Sequence, residues 1–472
     1  MQEKEPMRTS RVAVVSRPDL RYPSVVPFDP PNPVYAAVAD LLAALGFDAS
    51  RAGSPEWNPL GDLVAPGSRV VIKPNLVTSR DFHRDLTDDD LCCSSTHAAV
   101  LRPLVDLALR AVGPEGSVIL LDCPLEGSDF DRTAHVLGVT PMLDQLATRI
   151  QRRIPLLDLR SFRLGRTMLL DDLRVAGRSL NAGILSPRPM PGDPRGVAVI
   201  DLGRDSAFVG HRAPANRLRF HRSHKRSPIQ HHSNGRNEYS IAQTVLDADL
   251  VITVPKLKTH KKAGATICLK SVIGLSPYKY WLPHFTAGAP PHGDEYPILP
   301  SLWYRFVHQL TRFPLPGDRS GVLRAPSLTG HDEPISDGSW SGNDTIWRTV
   351  VDLNRILMYA DRRGALQSTP QRRCLNIVDG IVAGEGDGPL AATPVHCGVL
   401  VGGLNAVAVD TAACGIMGVD PEVVGYLTGS RDLKTYPLID YDKVDTILVD
   451  GALPRFAFQL PPGWESTRRH VA

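Results

Sequence analysis

"PKLKTHKKAGATICLKSVIG", residues 255–274, gathers Lys256, Lys258, His260, Lys261, Lys262 and Lys270 directly after the apolar run "DLVITV". Cations clustered where a strand-like run ends are suited to holding a phosphate or carboxylate, and a histidine among them can move a proton. Lys256, Lys258, Thr259, Lys262, Gly264 and Thr266 are therefore candidate substrate-binding residues, with His260 and Lys270 as candidate catalytic residues. The expected local structure is a strand ending near Pro255, an electropositive turn that carries His260 outside the core, and a helix start in "AGATICLK". Free N–H groups at that helix end would join the lysines around the anion. The pattern G-x-x-x-x-G-K-[ST] is absent, so the segment is not a P-loop.

Other stretches carry chemistry of their own. "VIKPNLV" ends a strand-like run at Lys73 and Asn75, and the carboxyl ends of strands form the ligand crevice of open α/β sheets. In "SSTHAAVLRPLVDLAL", Ser94, Ser95 and Thr96 precede an amphipathic helix and His97 falls at its start. That is either a helix cap with a neighbouring histidine or a base whose pKa the positive helix end lowers. "LLDCPLEGSDFD" places Asp122, Glu126, Asp129 and Asp131 close together, in a spacing that fits no calcium loop. "WLPHF" offers His284 as a substrate-binding residue, and "PPHGDEYP" offers His292, Asp294 and Glu295 as weak candidates for a metal. In "IVDGIVAGEGDGPL", Glu385 stands among glycines that suit a flexible turn and is a fourth catalytic candidate. Asp410, inside "NAVAVDTAACGIMG", is the one charge of an apolar helical pattern.

Positioning these residues falls to short apolar runs: "RVAVVS", "RVVIKP", "SVILLD", "GVAVID", "DLVITV", "CLNIVD", "CGVLVG" and "DTILVD". Continuous apolar runs of this length read as buried parallel strands. Between them lie helical patterns, "NPVYAAVADLLAALGF", "THAAVLRPLVDLALRAVG", "NEYSIAQTVLDA" and "NAVAVDTAACGIMG". The alternation predicts an α/β fold of mainly parallel sheets with flanking helices, two-lobed and with long inserted loops. The organisation expected is an N-terminal α/β lobe over 1–200, a basic His/Arg-rich insertion over 201–240, and a lysine-rich anion-site strand-turn-helix region over 241–310. A Pro/Gly-rich loop over 311–346 and a C-terminal α/β region over 347–472 complete it.

Composition narrows the function. The 42% apolar and 22% charged fractions are those of a globular protein, and no run reaches the roughly 20 apolar residues of a membrane helix. A formal charge of +3 is too small for a nucleic-acid surface. The charged start "MQEKEPMRTSR" has no secretory pattern, so a cytoplasmic location is expected. The seven cysteines form no C-x-x-C pair, and no iron-sulfur cluster is expected.

Taken in order, "VIKPNLV", "THAAVLRPLVDLAL", "DCPLEGSDFD", "ADLVITVPKLKTHKKAGATICLKSVIG", "WLPHF" with "GDEYP", and "VDGIVAGEGDGPL" resemble the domain-of-unknown-function family three-six-two over roughly residues 65–420. Many relatives in that family carry a cysteine-rich iron-sulfur segment, which this chain lacks. A more distant similarity is to lactate racemases that use a nickel-pincer nucleotide. His260 and Lys270 have the separation of the racemase histidine and cofactor lysine, with Gly264 between, and Thr96 and His97 match an earlier threonine-histidine pair. "ICL" stands where those enzymes have a glycine pair, so the nickel cofactor is not carried over with the scaffold. Together these readings imply an enzyme that binds a small anionic carboxylate or phosphate in an interlobe cleft, with His97 and His260 as acid and base. The resemblance to the racemases implies a racemase- or epimerase-like reaction. The competing readings are a binding protein with the same anion site and a redox protein that has lost its iron-sulfur segment; the cofactor is unknown and a metal is possible.

Overall fold

The computed structural model describes residues 10–77, 92–125, 128–167, 174–175, 178–179, 184–220, 227–298, 337–450, 452–464 and 467. Glu126, residues 221–226 of the basic insertion and residues 299–336, which take in most of the Pro/Gly-rich loop, lie outside the described residues.

Ten strands form one mixed sheet. They are β1 (Arg11–Ser16), β2 (Arg69–Pro74), β3 (Ser117–Asp122), β4 (Leu156–Asp158), β5 (Leu250–Val254), β6 (Lys256–His260), β7 (Gly264–Thr266), β8 (Arg373–Asp387), β9 (Ala391–Gly403) and β10 (Asp445–Leu448). Their order is β10-β1-β9-β8-β5-β2-β3-β4, with β6 on β8 and β7 on β6. Pairing is parallel from β8 across β5, β2 and β3 to β4, and between β6 and β8. It is antiparallel only at β1/β9, β9/β8 and β6/β7.

Alternation along the strands sends side chains into two apolar cores, one per face. Val70 and Ile72 of β2 and Leu250 and Ile252 of β5 pack on one side, against α1 (Pro33–Ala44), α2 (Ala98–Val112) and α3 (Val139–Ile150). Val71 and Val251 pack on the other, against α4 (Ile346–Tyr359) and α5 (Ala406–Met417). The helices begin where short polar side chains can take up free N–H groups. Asn32 accepts from Tyr35, and Asn405 accepts from Val407 and Ala408.

Seven of the eight predicted strands lie in the main sheet, and the α/β architecture is as expected. "GVAVID" differs: Val197–Asp201 pairs antiparallel with Glu238–Ala242 in a separate two-stranded sheet. The partner "EYSIA", part of the expected helix "NEYSIAQTVLDA", is a strand. Its Tyr239 and Ile241 are buried while the strand runs extended, and only Gln243–Leu246 turns helical.

Candidate functional site

β6 is where the structure departs most from the sequence reading. Instead of ending at Pro255, the chain continues as a second strand, "KLKTH", whose five residues are all buried. It pairs with β8 at Lys256↔Asp379 and Lys258↔Gly384. A tight turn at 261–263 leads into β7, and the helix that follows, Cys268–Ser271, is only four residues long. The candidate electropositive turn is thus a hairpin, and His260 sits at the buried end of a strand rather than on an exposed turn. The "GEG" stretch is likewise strand, not flexible turn. Gly384 is glycine because β6 and a neighbouring carbonyl lie too close for a side chain: a Cβ there would come within 3.2 Å of the Lys258 Cβ and 2.7 Å of the Cys93 carbonyl oxygen.

Period-two alternation puts Lys256, Lys258 and His260 on one face of β6. At the first of these positions the charge is neutralised internally. Lys256 Nζ lies 2.6 Å from Asp379 Oδ2, with both side chains fully buried, and 2.8 Å from Tyr22 Oη. Tyr22 donates to Asp379 Oδ1 at 2.6 Å, and the His97 backbone N–H donates to Oδ2 at 3.1 Å. The His97 ring stacks on Tyr22 at 4.1 Å, and its Nδ1 accepts from the Ala99 N–H at 3.1 Å, so the ring itself caps α2. Burial pushes the His97 pKa down to about 4, against the pull of Asp379, and the ring is neutral at physiological pH.

Lys73, at the end of β2, is neutralised in the same way. Its Nζ is 2.9 Å from Asp122 Oδ1, and burial lowers its pKa while Asp122 opposes the shift. Asn75 donates to the Ser94 carbonyl oxygen at 3.3 Å. Lys258 Nζ donates to the same oxygen.

The far end of β6 is different. Lys270, nearly buried, has no hydrogen-bond or ion-pair partner among the described residues. The charges it feels are Lys279, Lys262 and Lys73, and with burial they push its pKa down to about 7. Lys258 is also pushed down to about 7, first by burial; Lys256 and Lys270 add to the shift while Cys93 and Asp122 oppose it. His260 faces Lys270, Lys262, Lys258 and His284, and His284 faces Lys270, Lys262 and Lys279. Burial first, then these cations, holds both imidazoles well below the ordinary histidine value. Their tautomers are opposite. His260 Nδ1 accepts from the Lys262 N–H at 3.0 Å, which leaves its proton on Nε2. His284 Nδ1 lies 2.9 Å from the Leu282 carbonyl oxygen, which only accepts, so Nδ1 carries the proton and Nε2 keeps its lone pair.

The remaining candidates have structural partners. Thr259 donates to the Gly386 carbonyl oxygen at 2.9 Å. Gly264, at φ +77°, turns the hairpin, and a Cβ there would lie 2.8 Å from the Trp464 ring. Thr266 stands opposite Lys258 on β7. Glu385 Oε2 accepts from the Gln459 N–H at 2.8 Å, facing the C-terminal segment. The helix Cys268–Ser271 offers no N–H groups to an anion: Asp410 takes those of Cys268 at 2.8 Å and Leu269 at 3.0 Å. That contact also accounts for the lone charge in α5. Asp294 is saturated by the N–H groups of Thr286 and Asp344 and the Thr345 hydroxyl, while His292 is exposed and Glu295 accepts from the Gly288 N–H. Among the described residues no group of three or more His, Cys, Asp or Glu side chains is arranged to hold a metal.

His97 and His260 therefore belong to different groups. The four-residue rise from Lys256 to His260 spans about 13 Å at about 3.3 Å per residue. The structure brings His260 together with His284, Lys258, Lys262 and Lys270 instead. Sequence reasoning missed Tyr22 and Lys279; neither stands in a motif, and each reaches its partners only through the fold.

A mixed α/β sheet carrying a buried cation cluster beside its central strands is what fold and site define. Residues 188–415 match the model of a domain of unknown function, DUF362. The match covers the β6 segment and both site histidines, and is narrower than the 65–420 resemblance. No curated protein and no solved structure matches the chain, so the likeness to lactate racemases has no support from these comparisons. Among the described residues no helix is long and apolar enough to cross a membrane.

Proposed function

We propose that this chain is an acid–base enzyme acting on a small carboxylate or phosphate bound among Lys258, Lys262 and Lys270, with His260 and His284 beside the reacting atoms. The observation that carries the reading is that Lys270 is buried among like charges with no carboxylate partner among the described residues. Burying an uncompensated ammonium is costly, so Lys270 without a ligand gives up its proton near neutrality, and a bound anion would restore its charge. His284 Nε2, a lone pair in a neutral ring, is the base that takes a proton once a bound anion offsets the lysine charges that hold its pKa down. The His260 Nε2–H is a hydrogen-bond donor to the oxygen that gains charge as the proton leaves. Removal and return of a proton on the carbon next to a carboxylate suits this pairing, and the outcome is racemase- or epimerase-like where the enolate turns its other face to His284 before the proton returns. His97 acts at a distance, holding α2 and Asp379 in register.

Proton exchange reveals such chemistry without knowledge of the product. A panel of small 2-hydroxy and 2-amino carboxylates is incubated with the protein in deuterium oxide, and loss of the C2 proton is followed by NMR. His284→Gln should slow exchange by about 100- to 10,000-fold with the fold intact. Exchange that persists undiminished in both His284→Gln and His260→Gln refutes the assignment.

A further inference from the structure

Lys262 belongs to two features at once. Its charge is felt by His260, His284 and Lys270, its Nζ lies over the Phe285 ring at 4.9 Å, and it lines a cavity of about 260 Å³. Two further contacts tie the cavity to the cluster. Asn343, on its wall, donates to the His284 carbonyl oxygen at 3.0 Å. Trp464, on another wall, donates to the Lys261 carbonyl oxygen at 2.7 Å. Ile346, Trp347, Val423 and Trp464 make much of the lining apolar. Among the described residues the one acidic wall residue, Asp344, does not oppose an anion: its carboxylate is paired with Arg348 at 2.9 Å and accepts from Trp347 Nε1 at 2.9 Å.

Inorganic phosphate would need the cations and nothing more; an apolar wall beside them is surplus to it. We propose that the ligand is a carboxylate with a ring-sized apolar body, its charged end at Lys262 and its body in this cavity. The inference rests on the anion reading above and narrows it to a substrate class. Size agrees: an apolar cavity of about 150 Å³ accommodates a benzene ring, so this one has room for a single ring with substituents. Aryl and similarly compact carboxylates fit, whereas acetate-sized acids leave the wall unused. Burying the ring removes apolar surface from water, and the lysine supplies orientation.

Calorimetric titration of the full chain with acetate, inorganic phosphate, benzoate and benzyl alcohol at one pH and ionic strength tests this. Benzoate should bind about 10- to 100-fold more tightly than acetate, and benzyl alcohol should bind at least about tenfold more weakly than benzoate. Val423→Trp, which fills the cavity, should remove the benzoate advantage and leave acetate binding as it was; Val423→Phe serves if the larger side chain does not fold. Equal affinities for acetate and benzoate overturn the apolar-body inference while the anion site stands. Benzyl alcohol binding as tightly as benzoate overturns it too, since the cavity would then be independent of the cations. A benzoate advantage that survives the filled cavity places the ring elsewhere and overturns it as well. Absence of binding by acetate, phosphate and benzoate alike removes the anion reading and this inference with it.

Discussion

Replacing Lys270 with methionine should stabilise the unliganded protein. Its pKa falls from the model-peptide value of 10.5 to about 7 because burial and three neighbouring lysines disfavour the ammonium. At about 1.4 kcal/mol for each power of ten, that drop corresponds to at most about 5 kcal/mol of folding free energy set against the native state. The sign follows from proton binding. Below about pH 7 the native lysine must stay charged, and the cost is full. Between pH 7 and 10.5 the native side chain has lost its proton and the unfolded chain has kept it, so the cost shrinks as pH rises and vanishes near 10.5. Methionine keeps the length of the side chain without the charge. Urea unfolding followed by tryptophan fluorescence should show Lys270→Met gaining most at pH 6, with the gain reduced to about 1 kcal/mol or less by pH 10. Phosphate should stabilise the wild type and leave the variant nearly unmoved. If Lys270→Met is no more stable than wild type at pH 6, or its advantage does not change with pH, the ammonium is compensated within the fold. The case for an external anion then fails.

Because Lys258 and Lys270 both lose their protons near pH 7, benzoate or phosphate affinity should fall as pH rises from 6.5 to 9, and binding above pH 7 should take up protons, read from calorimetry in buffers of different ionisation enthalpy. Lys256→Met and Asp379→Leu should each cost about 3–5 kcal/mol in thermal or urea unfolding, because each strands a fully buried charge, and the double substitution should cost less than their sum. Gly264→Ala should cost about 1–3 kcal/mol from its positive φ and the Trp464 ring, and Trp464→Ala in the same chain should recover part of the loss.

How far the sequence reaches is visible along β5 and β6. "DLVITV" reads correctly as a buried strand because its run is continuously apolar, the pattern of a strand covered on both faces. "KLKTH" follows with three charged or titratable side chains in five residues, a composition that suggests an exposed turn. It is nonetheless a buried strand, since β8 supplies a parallel hydrogen-bonding edge and Gly384 lets it approach. Gly384, the first glycine of the "GEG" stretch that suggests flexibility, is the condition for that pairing. His97 was legible as a helix-cap neighbour; the ring's own capping bond and its stack on Tyr22 were not, because Tyr22 lies in a proline-rich stretch with no motif. His284 was read as binding substrate, and its fixed tautomer, which gives it the stronger claim as base, depends on a carbonyl two residues away that composition does not reveal.

The same segment holds two kinds of lysine that the sequence cannot separate. Lys256 finds its carboxylate 123 positions away, on the neighbouring strand, and Lys73 finds Asp122 on β3. Both are internal ion pairs of the sort that fix strand ends in place. Among the described residues Lys258 reaches only a carbonyl, and Lys270 meets only other cations. Since the four are alike in type, what distinguishes them is where the acids fall in the fold: Asp379 and Asp122 are already committed, and Asp410 is turned to the helix Cys268–Ser271. With these carboxylates so occupied, Lys270 has no acidic partner among the described residues, and that is the ground for proposing that a bound anion supplies the balancing charge.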